Sequence, residues 1–122
     1  MGHTASARLT FVLIARVPSD GVASFQAYEE AVLPLLSEFG GLLERRLRNS
    51  DGTIEVHIVS FDSDQNFQRF RSDPRRASFA HLIEASAAKN ELFAMTDVAY
   101  GTFETWRRAL RMSGVGGRPE RL

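Results

Sequence analysis

Residues 9–17, LTFVLIARV, alternate along the chain: Leu9, Phe11, Leu13, Ala15 and Val17 fall on one face, Thr10, Val12, Ile14 and Arg16 on the other. Both faces are largely apolar, which predicts a central strand covered on both sides. Pro18-Ser19-Asp20-Gly21 is turn chemistry and ends it. The period then changes. Over residues 22–39, Phe25, Tyr28, Val32, Leu35, Leu36 and Phe39 recur every three or four positions, with Gln26, Glu29, Glu30 and Glu38 on the polar side. That spacing predicts an amphipathic helix, kinked at Pro34 because proline lacks a donor and crowds the preceding turn. Gly40-Gly41 supplies a left-handed cap.

Residues 42–48, LLERRLR, predict a second strand, and Asn49-Ser50-Asp51-Gly52 a hairpin turn into a third at 53–61. In that third strand Ile54, Val56 and Ile58 share one face, and Glu55, His57, Val59 and Phe61 the other. Asp62, with Gln65 three residues on, has the form of a capping box. The helix it opens is interrupted at Ser72-Asp73-Pro74, where Asp73 can cap and Pro74 take the first position of a restart. Residues 77–89 continue it, Asn90 ends it, and 92–100 form a fourth strand. The order β-α-β-β-α-β predicts an α+β ferredoxin-like sandwich: a four-stranded antiparallel sheet with its helices on one face. One domain spans residues 7–100. An extension at 101–122 is expected to hold a short helix at 102–112 and then a glycine-rich mobile tail.

A length of 122 residues, 43% hydrophobic and 25% charged, suits one globular domain with a real core. Formal net charge is zero, so no global field draws in nucleic acid or an anionic membrane. All but one of the 15 basic residues are Arg, the exception being Lys89. With no Cys, thiolate metal sites, disulfides and a Cys nucleophile are excluded. The first residues lack the pattern of a signal peptide and no run reaches membrane-spanning length, so the expectation is a cytoplasmic protein.

Helices on one side leave the other side of the sheet bare. The wholly apolar odd positions of the first strand suit the helix side, and Ile54, Val56 and Ile58 would be the matching face of the third. The bare face would then carry Thr10, Val12, Ile14, Arg16, Glu55, His57, Val59 and Phe61. Such a mix is too apolar for water and too polar for a sealed core, and it suits pairing of two sheets around a partly polar cavity. The expected partner is a second copy of this chain.

Several stretches carry a resemblance: Tyr28-Glu29 with Leu33-Pro34-Leu35-Leu36, Phe39-Gly40-Gly41-Leu42, Glu55-Val56-His57-Ile58-Val59-Ser60-Phe61, and Phe67, Phe70 and Ser72-Asp73-Pro74. Together with the element order they resemble the dimeric α/β-barrel superfamily, near its small domains of the NIPSNAP and antibiotic-biosynthesis-monooxygenase types. The likeness covers residues 9–98. It implies a homodimer whose two sheets form a barrel, and it implies no single chemistry. Cofactor-free monooxygenases, isomerases, haem-degrading enzymes and stress proteins share this shape.

His57 is the sharpest candidate, since an imidazole titrates near neutrality and can shuttle a proton, and Glu55 stands beside it to orient the ring. Arg16, Arg46 and Asp97 are expected to point into the same cavity, where paired Arg residues can hold a carboxylate or enolate oxygen. The plainer reading is ion pairing of these arginines with Glu44, Glu55 or Asp97. All of these facings turn on register, because a slip of one residue reverses them. His57 and His81 lack zinc-site spacing, so no metal is expected. No nucleophile elbow surrounds Ser60, and Gly40-Gly41 is no phosphate loop, so no cofactor is expected either.

Three readings follow. One is a cofactor-independent enzyme, of monooxygenase or isomerase type, on a small aromatic or organic-acid compound, with His57 moving the proton. Another is a non-catalytic ligand-binding or accessory dimer, and the third a scaffold with its cavity packed shut. Catalysis on the bare face needs His57 in an open pocket there. With that cavity filled by side chains, or His57 turned under the helices, catalysis there fails and a structural or binding dimer is the better reading.

Overall fold

The computed structural model describes residues 8–98. Strand β1 (Leu9–Arg16) leads to helix α1 (Val22–Val32), then β2 (Gly41–Arg48) and β3 (Ile54–Phe61). Three short helices, α2 (Asp64–Arg71), α3 (Pro74–Ser78) and α4 (Ala80–Ser86), precede β4 (Lys89–Met95). The sheet runs β2-β3-β1-β4 with every pair antiparallel, the expected ferredoxin-like order. The extension expected at 101–122 lies outside the described residues.

Local chemistry sets the boundaries. Pro34 ends α1 at Val32, and the chain continues as a 3₁₀ helix, Leu33–Phe39, instead of a kinked α-helix. Gly40 closes it at φ 70°, where a Cβ would also strike the Asp62 carboxylate at 2.3 Å. The α2 cap is Ser63, whose Oγ accepts from Asn66 N at 3.1 Å. Asp62 binds the Asn66 side chain instead, so the expected cap is displaced by one residue. Asp73 caps α3 ahead of Pro74 as expected, accepting from Arg75 N at 2.8 Å. The last helix stops earlier than its pattern suggested. Ala87 takes a left-handed conformation at φ 57°, and Asn90 joins β4, which ends at Met95 instead of residue 100.

Helix α1, the 3₁₀ turn and α2 bury a core with the odd positions of β1. Phe11 stacks on Phe67 at 4.1 Å, with Tyr28, Leu36, Phe61 and Phe70 around them. Ala15, Val17 and Phe25 form a second cluster. Register corrects one expectation. Leu13 lies opposite His57 and Ala15 opposite Glu55, so the odd residues of β3 share the helix side with the odd residues of β1. Glu55, His57 and Phe61 are buried there, whereas Ile54 is 43% exposed. The apolar run Ile54, Val56 and Ile58 faces away from the helices. The alternation was right and its direction inverted, because a polar network under the helices outweighs the pull of three aliphatic side chains toward the core.

Candidate functional site

The site grows from that inversion. Beyond Leu43 the pairing of β2 with β3 slips by one residue, so that Arg45, not Glu44, lies opposite Ile58. This bulge sets Arg46 opposite His57 and Arg48 opposite Glu55, on the helix side. Glu29 descends from α1 onto the same spot and is 5% exposed, Glu55 1% and His57 2%. Three titratable groups and two guanidiniums thus meet beneath the helices.

Glu55 is the fixed anion of the group. Its Oε2 accepts from Arg46 Nε at 2.7 Å and lies 2.5 Å from His57 Nε2, and its Oε1 accepts from Arg48 Nε at 2.8 Å. Burial pushes this carboxyl up, but the bonds from His57, Arg46 and Arg48 outweigh it and hold it at about 2. Burial lowers the basicity of His57, against the pull of Glu55. A neutral imidazole that donates Nε2–H to Glu55 turns a bare Nδ1 toward Glu29 Oε1, 3.4 Å away. Burial, and then the charge of Glu55, raise Glu29 to about 7, with Arg46, Arg76 and Arg48 acting the other way. The arrangement sets Glu29, a carboxyl raised to about 7, against an imidazole backed by the fixed anion of Glu55.

Glu29, Glu55 and His57 also offer three donor atoms within 4.8 Å of one another, a grouping His57 and His81 alone did not suggest. The donor set fits a cation poorly. Arg46 and Arg48 already occupy both oxygens of Glu55, and their charges repel a metal ion.

Glu29 and His57 form part of the wall of a cavity of about 330 Å³ between sheet and helices, lined by Phe11, Tyr28, Phe61, Phe67 and Phe70. The cavity lies on the helix side, not on the bare face where a pocket was expected. Of the residues expected to converge, Arg46, Glu55 and His57 do so. Arg16 does not: it sits on the bare face, ion-paired with Glu91, and both are exposed. Asp97 follows the end of β4 and is exposed, because the strand is shorter than its pattern implied. Glu29 was missed, having been assigned to the polar side of its helix. Its spacing carried a signal, since it lies four residues after Phe25 and three before Val32, on the apolar stripe.

No protein-family profile and no curated protein matches the chain. Solved structures do resemble it. SnoaB, a cofactor-independent oxygenase from Streptomyces nogalater, is 20% identical over 80% of this chain and 100% of its own, with a TM-score of 0.61. A NIPSNAP family protein of unknown function from Agrobacterium tumefaciens is 18% identical over 81% and 97%, with a TM-score of 0.56. A Bacteroides thetaiotaomicron protein, provisionally assigned as an antibiotic biosynthesis monooxygenase, is 11% identical over 81% and 97%, at 0.65. These likenesses establish the fold, a ferredoxin-like sandwich with a four-stranded antiparallel sheet. Among the described residues, no helix is long and apolar enough to cross a membrane.

Proposed function

We propose that this protein is a cofactor-independent enzyme that takes a proton from a small aromatic compound held in the cavity. The observation that carries the proposal is the buried Glu29–His57–Glu55 line, whose Glu29 and His57 stand in the wall of an aromatic chamber. A base that titrates near neutrality suits proton abstraction from a carbon acidified by a neighbouring carbonyl or phenol. Glu29 is the group at the chamber, His57 passes the proton, and Glu55, fixed by Arg46 and Arg48, stabilises the imidazolium. The resulting carbanion has two fates. Reprotonation at another carbon gives an isomerase. Attack on dissolved O₂ forms a peroxide, and loss of water from it leaves a ketone where a CH₂ stood, so one O₂ yields one carbonyl oxygen and one water. Likeness to a cofactor-independent oxygenase favours the second fate. A cytoplasmic homodimer, paired through the bare sheet face, completes the proposal.

Oxygen uptake with a panel of one- to three-ring aromatics bearing acidic C–H bonds tests it, with chelator present throughout. Wild type is expected to consume O₂, and Glu29→Gln and His57→Ala to lose about 10²-fold or more, the scale of a general base, while keeping affinity. Binding with no turnover in wild type supports the second reading, a ligand-binding dimer. The burial of His57, away from the face where catalysis was first expected, is the observation in its favour.

A further inference from the structure

Arg76 is anomalous in this wall. Its Nε is the buried side-chain nitrogen or oxygen that finds no hydrogen-bond partner among the described residues. The other two guanidinium nitrogens are held: one donates to the Tyr28 hydroxyl at 3.1 Å and the other to the Arg71 carbonyl at 3.2 Å. The plane rests over the Phe70 ring at 4.7 Å. A guanidinium so fixed spends little entropy on binding and keeps its Nε–H, with one further N–H on each terminal nitrogen, to give. Buried donors are rarely left orphaned, and such a group is paired once a ligand brings an acceptor.

Charge adds a second argument. Arg75, next in the chain, is paired with Asp73 and Glu38. Among the described residues neither Arg76 nor Arg71 has a carboxylate within ion-pair distance, and both line the cavity. Both lie over rings of its wall, Arg71 over Phe67 at 5.4 Å. A chamber faced with phenylalanines, with two guanidiniums that lack a direct carboxylate partner among the described residues at one part and Glu29 at another, suits a flat ring bearing one anionic group.

We propose that Arg76 anchors the anionic group of a planar aromatic ligand, a carboxylate or enolate, through the unused N–H groups of its guanidinium. The inference rests on the reading of the cavity as a ligand site, and adds the ligand's charge and the residue that recognises it. Held at Arg76, the ring is confined among Phe11, Phe67 and Phe70, within the chamber that Glu29 lines.

Calorimetric titration of the full chain with 2-naphthoate and with 2-naphthamide, its uncharged counterpart of similar shape, tests this. Wild type is expected to bind the carboxylate at least about tenfold more tightly, the scale of a desolvated charged hydrogen bond. Arg76→Met is expected to abolish that preference while 2-naphthamide keeps its affinity within about threefold, and Arg71→Met to keep most of it, since Arg71 is exposed. Equal affinities in wild type, no binding of either probe, or a preference that follows Arg71 instead would overturn the proposal. The wild-type comparison needs no variant, so it decides even where Arg76→Met does not fold. The anchor and the catalytic reading separate cleanly. A preference lost in Arg76→Met, in a protein that consumes no oxygen, leaves the anchor and sinks catalysis. Turnover of uncharged substrates indifferent to Arg76 does the reverse.

Discussion

Glu29 is a carboxyl that the fold keeps protonated longer than water would. Its pKa is raised from 4.5 to about 7 by burial and then by the charge of Glu55. In the unfolded chain it ionises first, so its contribution to stability is fully present below 4.5 and is lost as pH rises through 7. The shift corresponds to about 3 kcal/mol. Glu55 runs the other way: its depressed pKa gives stability that is present above 4.5 and lost as pH falls toward 2. His57, also depressed, loses stability as pH falls below 6.5 and so offsets part of the Glu29 effect in wild type. Comparison with Glu29→Gln isolates the residue. The variant is expected to gain on wild type from pH 4.5 to about pH 7 and to level off above that, in urea denaturation. A gap that stays constant with pH would mean that Glu29 titrates like an exposed carboxyl. None of this was legible from Glu29 alone, because a glutamate among Gln26, Glu30 and Glu38 looks solvated. Only its place between Phe25 and Val32 betrays it.

At the level of elements, the chain announced its strands and helices well and the facing of one strand badly. The helix-breaking of Pro34, the left-handed close at Gly40 and the Asp73 cap follow from backbone chemistry that a sequence carries in full. The facing of β3 does not, because Ile54, Val56 and Ile58 satisfy the hydrophobic pattern of either face when one face awaits a partner. The bulge after Leu43 leaves no sequence mark, yet it brings Arg46 and Arg48 to Glu55. These two strands therefore stand or fall together through one buried anion. Arg46→Met leaves Glu55 with one guanidinium fewer and is expected to cost about 3 kcal/mol, the scale for a broken buried pair. Adding Glu55→Gln removes the stranded charge, so the double variant is expected to be more stable than the sum of the two single losses. Strict additivity in that cycle, measured by urea denaturation, would show that the pair contributes no coupling.

For the whole molecule, the inverted strand sharpens the case for a partner. With Glu55 and His57 withdrawn under the helices, the bare face carries Val12, Ile14, Val56 and Ile58 at its centre, with Leu47 (44% exposed) and Phe93 (44%) on the outer strands. Its ion pair, Arg16 with Glu91, lies toward one end. This face is more apolar than the one expected from the sequence, and a contiguous apolar patch across four strands is more than a monomer commonly exposes. A second copy is the partner that this chain always has at hand, and a two-fold pairing would set apolar centre against apolar centre. Light scattering at micromolar concentration is expected to give twice the monomer mass. Ile58→Asp, which sets an unpaired carboxylate in the middle of the face, is expected to give the monomer, and Glu55→Gln, on the helix side, to leave the dimer intact. A monomeric wild type would sink the idea at once. Because cavity and bare face lie on opposite sides of one sheet, a folded Ile58→Asp monomer should still prefer 2-naphthoate over 2-naphthamide. Loss of that preference would mean that the second sheet, by stiffening the first, holds the cavity in shape.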